Sequence, residues 1–168
     1  MQITKIISGG QTGADRAALD WAREHGIPHG GWCPKGRRAE DGVIPYSYHL
    51  EENDISAYAV RTEWNVRDSD ATVLFSIEKR LTGGTKLTAD LAERHGVPWI
   101  HISPCSHRSV RQALGAFLEA NPAFILNIAG PRASSEPAVG TFVKQCLDSV
   151  GDFFVNQNLK SSTRRNVA

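Results

Sequence analysis

The stretch IISGGQTGADRAALDWA, residues 6–22, decides the fold class of this 168-residue chain. It begins as an apolar run, breaks at Gly9 and Gly10, and continues with apolar residues at helical spacing. A strand that ends in two glycines and passes directly into a helix exposes backbone amides at the junction. The stretch therefore predicts a β-strand followed by an α-helix, with a ligand-binding turn between them.

Apolar runs and helical patterns alternate in the same way along the rest of the chain. The alternation predicts one doubly wound, Rossmann-like α/β domain over residues 1–155, with helices on both faces of the sheet. The sheet is predicted to be mainly parallel, with five strands in the order 2-1-3-4-5. The predicted strands are 3–8, 30–33, 71–75, 99–103 and 124–129, and the predicted helices are 12–25, 57–67, 85–95, 109–119 and 137–153. Residues 156–168 are polar and are predicted to form a flexible C-terminal tail.

The segment from residue 34 to residue 58 interrupts this alternation. It is charged, aperiodic and punctuated by Gly and Pro, and a loop of this length inside a compact domain is usually functional or disordered. Ile44, Tyr46, Tyr48 and Leu50 give the segment apolar groups to pack with. We therefore expect residues 35–58 to form an ordered lid.

Composition narrows the class of protein. A formal net charge of +1 argues against nucleic-acid binding, which normally accompanies a basic excess. The three cysteines, at positions 33, 105 and 146, form no C-x-x-C pair, which argues against a disulfide framework and a zinc knuckle. The chain lacks an apolar leader and any stretch of membrane-spanning length, so a cytoplasmic location and no membrane association are expected.

Three predicted strands end in glycine-bearing turns: the first turn at residues 8–15, the second at 80–88 and the third at 129–132. In an open parallel sheet, ligands bind beyond the carboxyl ends of the strands, where the strand order reverses. The order 2-1-3-4-5 would place the first and second turns side by side at that point. Each turn taken alone is equally consistent with a tight strand–helix junction.

Helix-start signals and nearby cations indicate that the ligand is an anion. Thr12 with Asp15, and Thr85 with Thr88, fit the start of a helix, where free amides and the helix dipole favour phosphate. Arginine side chains add bidentate phosphate contacts. The predicted ligand-binding residues are Gly9, Gly10, Gln11, Thr12, Gly13, Asp15, Lys35, Arg37, Arg61, Gly83, Gly84, Thr85, Gly130 and Arg132.

Five blocks of sequence, in order and spanning residues 3 to about 153, resemble the molybdenum carrier family, in the YpsA-related branch of the LOG-like Rossmannoid superfamily. The blocks are ISGGQTGADRAALD, WCPKGRRAEDG, YAVRTEWNVRDSDATVLF, LTGGTKLTADLA and NIAGPR. The resemblance implies a doubly wound domain that binds a nucleotide-like or pterin-phosphate ligand, such as the molybdenum cofactor. Members of this family are oligomeric, which implies a homo-oligomer here.

A more distant resemblance to LOG-type phosphoribohydrolases bears on catalysis. Those enzymes have an Arg nine residues before the Asp of a strand start, and Arg61 stands in that relation to Asp70. Their second motif ends in a catalytic Glu, and the corresponding position here is Thr88, whose hydroxyl cannot replace a carboxylate. The resemblance therefore favours a binding protein without a catalytic residue. The alternative is a nucleotide N-glycosidase, with Arg61 and a carboxylate from Asp15, Asp70 or Glu63.

Arg61 carries a specific prediction of its own. If the order is 2-1-3, its helix lies close enough for the side chain to reach the first turn. As a ligand contact it could be replaced without loss of the fold, whereas as a structural residue it would pair with Glu63, Asp68 or Asp70. The histidines and cysteines show no metal-ligand spacing, so direct ligation of a metal by the protein is not expected.

Overall fold

The computed structural model describes residues 2–54, 58–106 and 109–155. Two expectations fall outside these ranges: the flexibility of residues 156–168, and the end of the predicted lid at residues 55–57. The helices are α1 Ala14–Glu24, α2 Tyr58–Arg67, α3 Gly83–His95, α4 Val110–Ala120 and α5 Val139–Ser149, with 3₁₀ turns at Lys35–Arg37 and Gly151–Phe153. The strands are β1 Lys5–Ile7, β2 His29–Gly30, β3 Trp32–Cys33, β4 Arg38–Ala39, β5 Gly42–Val43, β6 Glu51–Glu52, β7 Ala71–Phe75, β8 Trp99–Ile102 and β9 Ile125–Ala129.

The main sheet has five strands in the order β2-β1-β9-β7-β8, and all neighbouring strands are parallel. This confirms the predicted α/β fold with a five-stranded parallel sheet. Helices α1 and α5 pack together, and α2 packs against α3. The largest apolar cluster joins α1, α4 and α5 to the sheet, with Trp21, Phe75 and Leu126 among its members.

The strand order corrects the prediction. In the predicted numbering the order is 2-1-5-3-4, so the last strand inserts between the first and the third instead of lying at the edge. Burial explains why β9 lies inside the sheet and β8 at its edge. The three central residues of β9 are buried, as a strand covered on both faces requires. Three of the four residues of β8 are only partly buried. The buried Asn127 side chain also donates to the Thr72 hydroxyl at 3.2 Å, which links β9 to β7.

The new order moves the point at which the chain reverses its winding direction. From β1 the chain proceeds outwards to β2, and from β7 it proceeds in the opposite direction to β8. The reversal therefore lies between β9 and β7, and a ligand crevice is expected beyond their carboxyl ends. The second and third glycine turns meet there, while the first turn lies one strand away.

The loop at residues 34–54 is ordered, as predicted for this part of the lid. It contains the β4–β5 hairpin, and β6 pairs with β3 in a second, two-stranded sheet. Ile44, Tyr48 and Leu50 are buried in a separate apolar cluster with Leu19 and Cys33. Tyr46, which was expected to pack in the same way, is 78 % exposed.

Arg37 organises the 34–54 loop from within. Its side chain is buried, and its guanidinium group donates to four backbone carbonyls at 2.9–3.0 Å, those of Ile44, Pro45, Tyr48 and Leu50. Because these contacts direct the donors into the loop, the structure does not bring Arg37 to the glycine turns. Arg37 is thus a predicted ligand-binding residue whose guanidinium group bonds within its own loop.

Candidate functional site

A cleft of about 540 Å³ lies at the carboxyl ends of β7 and β9, where the winding direction reverses. Its lining residues are Gln11, Ser76, Glu78, residues 80–85 and 130–132, Ser135 and Glu136. The second turn forms one wall and the third turn forms the other. Of the predicted site residues, the cleft brings together Gln11, Gly83, Gly84, Thr85, Gly130 and Arg132.

The start of α3 gives the cleft its open backbone amides. The first helical hydrogen bond runs from the Lys86 amide to the Thr82 carbonyl at 3.2 Å, so the amides of residues 83–85 precede the hydrogen-bonded ladder of the helix. Gly83 has a φ of +52°, and a Cβ at this position would meet nothing within 4 Å. This glycine therefore permits the left-handed turn and leaves the space beside it to a ligand.

Two arginines stand on opposite walls of the cleft. Arg80 lies in the second turn and Arg132 in the third, and both are exposed. Amides at a helix start together with two guanidinium groups form a donor set suited to phosphate. Arg80 was not among the predicted cations, although its position shortly after a buried strand is a signal that could have identified it. The same signal applies to Ser76, which directly follows β7.

The first turn, in contrast, is closed by protein groups. The Thr12 amide donates to the Gln11 side chain at 3.0 Å, and the Ala14 amide donates to the Pro131 carbonyl at 3.2 Å. The Gln11 amide faces the Asp15 carboxylate at 3.4 Å. Three amides of this turn, those of Gln11, Thr12 and Ala14, therefore already have acceptors within the protein.

The glycines of the first turn admit neighbouring protein atoms. A Cβ at Gly10 would lie 2.5 Å from the Leu50 side chain, and a Cβ at Gly13 would lie 2.4 Å from the Pro131 carbonyl. The space that a Cβ would fill at these glycines is therefore taken by other parts of the chain. The 34–54 loop thus covers the first turn rather than the cleft.

Glu40, at the tip of the β4–β5 hairpin, links this loop to the first turn and to the segment that follows the third turn. Its carboxylate accepts from the Thr12 hydroxyl, and from the Ser134 amide at 3.1 Å and the Ser134 hydroxyl at 2.5 Å. Arg132 lies 3.9 Å away. The hydrogen bonds from Ser134 and Thr12 lower the pKa of Glu40. Lys35 is exposed in the 3₁₀ turn of the same loop and does not line the cleft.

A small recess of about 30 Å³ adjoins the cleft and shares Gly84, Thr85 and Gly130 with it. Arg61 and Asp15 line this recess and are 4 % and 5 % exposed. The Arg61 guanidinium donates to the Gly9 carbonyl at 2.7 Å and lies 3.7 Å from the Asp15 carboxylate. A Cβ at Gly9 would lie 1.9 Å from that guanidinium group.

Arg61 therefore reaches the first turn, although the strand order differs from the one on which that prediction was based. The three carboxylates considered as its structural partners have other contacts. Glu63 pairs with His95 at 2.9 Å, Asp68 accepts from the Trp32 indole at 2.8 Å, and Asp70 accepts from the Phe124 and Ile125 amides at 2.9 and 2.8 Å. The carboxylate beside Arg61 is that of Asp15, which the sequence had indicated as a ligand-binding residue.

The recess also contains the residue that replaces the LOG-type glutamate. Thr88 is buried there, and its hydroxyl donates to the Gly84 carbonyl at 2.8 Å. The carboxylate in this recess is Asp15 instead. Burial raises the pKa of Asp15 from 3.8 to about 6, and this effect outweighs the opposing influence of Arg61 and of the Gln11 and Gly130 amides.

We expect this shift to make stability depend on pH. Because the folded pKa of Asp15 lies above the unfolded value, the native state binds the proton more tightly. The stabilisation is complete below the unfolded pKa of 3.8 and is lost as the pH rises through about 6. Relative to Asp15→Asn, which cannot titrate, the wild-type free energy of unfolding should fall by up to about 3 kcal/mol across this window. Urea unfolding of both proteins measures the difference, and parallel pH profiles would contradict the assignment.

Neither a metal centre nor a membrane span is found in the part of the chain that the structure describes. Within residues 2–54, 58–106 and 109–155, no three His, Cys, Asp or Glu side chains are grouped so as to hold a metal ion. None of the helices in these ranges has the length and apolar character needed to cross a membrane.

Comparison with known proteins supports the architecture. A crystal structure described as "Putative molybdenum carrier protein from Syntrophus aciditrophicus SB" is 47 % identical, with a TM-score of 0.83. The match covers 88 % of this chain and 94 % of that chain. No curated protein matches the sequence.

The family assignment agrees with the strand order. Residues 6–151 match the circularly permutated YpsA SLOG family. If the strands are renumbered so that β9 comes first and β1, β2, β7 and β8 follow, the order of the sheet reads 3-2-1-4-5, as in Rossmann folds. The main sheet is thus Rossmann-like, but the strand that would come first, β9, comes last among the strands in the sequence. The chain belongs to the circularly permutated YpsA SLOG family, as the family match over residues 6–151, the 47 % identical crystal structure and this strand order show.

Proposed function

We propose that this protein is a carrier or sensor that binds a phosphorylated heterocycle in the cleft between β7 and β9. The open start of α3 is the observation that carries the proposal. Its amides at residues 83–85 lie where the winding direction reverses, between Arg80 and Arg132. A phosphate group bound there gains hydrogen bonds from the backbone and charge from both walls.

The molybdenum cofactor is the proposed cargo, and a nucleotide-like phosphate is the alternative ligand of the same site. The name of the 47 % identical protein supports the first, and the donor set for phosphate supports both. In the first case the molybdenum arrives chelated by its own pterin, so the protein holds the phosphate and the ring. A cytoplasmic homo-oligomer, expected from the sequence, is part of this proposal, and light scattering on the purified protein tests the assembly.

Calorimetric titration tests the binding site. The probes are molybdenum cofactor, a pterin monophosphate, AMP and ADP-ribose. For a probe that binds the wild type, Arg80→Ala and Arg132→Ala should each weaken affinity by about 10-fold, as expected for loss of one charge-assisted hydrogen bond. Arg111→Ala removes a similarly exposed arginine on α4, outside the cleft, and should leave affinity unchanged. Equal effects of all three substitutions, or no binding of any probe, would contradict the proposal.

The recess supports a second candidate function, cleavage of a nucleotide N-glycosidic bond. A buried carboxylate with a pKa of about 6 beside an arginine, next to a phosphate cradle, is an arrangement that can serve acid–base chemistry. Release of free base from nucleoside monophosphates, abolished by Asp15→Asn, would establish this function. Binding without turnover would favour the carrier.

A further inference from the structure

The wall of the cleft contains one fixed carboxylate that phosphate binding does not explain. Glu136 lines the cleft just after the third turn and is partly buried. Its side chain accepts a hydrogen bond from the Ile77 amide, which follows β7, at 2.5 Å. Its backbone amide donates to the Arg132 carbonyl at 3.1 Å, and its carbonyl accepts from the Val139 amide at 3.1 Å. Glu136 is therefore held from both walls of the cleft.

A carboxylate in this position opposes the binding of an anion. Like charges repel, and the repulsion is stronger inside a cleft than in bulk water. A ligand offsets this cost when it carries hydrogen-bond donors, because a carboxylate has about four acceptor positions and the Ile77 amide uses one of them. Sugar hydroxyls are donors of this kind, and a hydrogen bond to an ionised acceptor is stronger than one between neutral groups.

We propose that Glu136 accepts hydrogen bonds from the hydroxyl groups of the bound ligand, so that the cleft selects a phosphorylated ribose over its deoxy analogue. This inference rests on the proposed function, because it requires the phosphate group to bind in the same cleft. Of the two ligands proposed for this cleft it favours the nucleotide-like phosphate, because the pterin phosphate of the molybdenum cofactor carries no ribose. Glu136 is then a specificity-determining residue that the sequence analysis did not identify.

The position of Glu136 relative to the phosphate donors supports this role. Its backbone hydrogen bond to Arg132 places it within one turn of the arginine on the third turn, and Ile77 precedes Arg80 by three residues. Glu136 and the start of α3 line the same cleft of about 540 Å³, which has room for a phosphate and the sugar attached to it. Acidic side chains bind ribose hydroxyls in dinucleotide-binding folds through the same chemistry.

Three base-free probes separate the hydroxyl contact from the phosphate contact: ribose 5-phosphate, 2-deoxyribose 5-phosphate and inorganic phosphate. Wild-type protein should bind ribose 5-phosphate at least about 10-fold more tightly than the deoxy sugar in calorimetric titration. Glu136→Gln keeps an oxygen for the Ile77 amide but loses the charge, and should bring this ratio close to one. Its affinity for inorganic phosphate should be maintained or increased.

Glu119→Gln is the matched control, because it removes the same charge from an exposed residue on α4, outside the cleft. It should preserve the preference for ribose 5-phosphate. A wild-type ratio near one overturns the inference and leaves the proposed function intact. Equal loss of affinity for both sugars in Glu136→Gln indicates a purely structural role and also overturns it. Failure of all three phosphates to bind the wild type overturns this inference, whereas the proposed function is decided by the titration with the heterocycle-containing probes.

Discussion

Arg61→Ala is expected to lower the free energy of unfolding by about 3–5 kcal/mol, as for removal of one partner from a buried ion pair. The substitution leaves the Asp15 carboxylate buried without its cation and removes the donor 2.7 Å from the Gly9 carbonyl. The sequence alone predicts that the fold survives loss of this side chain, because a ligand contact contributes little to the core. The burial of both partners gives the opposite expectation.

Urea unfolding without ligand measures this effect. Arg67→Ala is the control, since Arg67 also pairs with an aspartate, Asp68, but the two side chains are 47 % and 38 % exposed. An exposed pair of this kind contributes about 0–1 kcal/mol. Arg61→Lys keeps the charge but loses the planar fork, so it should lie between wild type and alanine. An Arg61→Ala protein as stable as Arg67→Ala would contradict the structural role of the buried pair.

Gly13→Ala is expected to cost roughly 3–5 kcal/mol, because overpacking adds to the strain of a backbone conformation, φ +81° and ψ −127°, that side chains rarely adopt. Gly13 has a φ of +81°, and its Cβ would lie 2.4 Å from the Pro131 carbonyl and 2.7 Å from the Ala133 amide. Both contacts are with backbone atoms, which cannot rotate away as a side chain can. The substitution therefore forces the first and third turns apart.

Gly96→Ala measures the cost of a positive φ at a position without steric contacts. Gly96 also has a positive φ, of +65°, but a Cβ there would meet nothing within 4 Å. It should cost only about 1–2 kcal/mol, the strain of the left-handed conformation. Chemical denaturation of the two variants gives the comparison. Equal losses would show that contact between the turns does not determine the cost at Gly13.

The local part of this structure could be predicted from the sequence. The stretch at residues 6–22 indicated β1 and α1, and apolar runs located β7, β8 and β9. The strand predicted at residues 30–33 overlaps β2 only at Gly30, because Trp32 and Cys33 pair with β6 in a separate sheet. These signals are local, because the alternation of apolar residues and the positions of Gly and Pro record which side chains are buried and where an element ends. The contact of Arg61 with the first turn was also anticipated, although from a 2-1-3 strand order that the structure does not have.

Only the tertiary structure decided which turns share a cleft. Every strand offers the same backbone donors and acceptors to its neighbours, so the sequence of β9 does not state that it pairs with β1 and β7. That choice depends on burial of both faces of β9 by helices distant in the chain. The tertiary structure also closed the first turn against the 34–54 loop, directed Arg37 into that loop, and brought Arg80 and Glu136 into the cleft. The sequence determined the elements and their buried faces, whereas the site arose from the order in which the sheet assembled them.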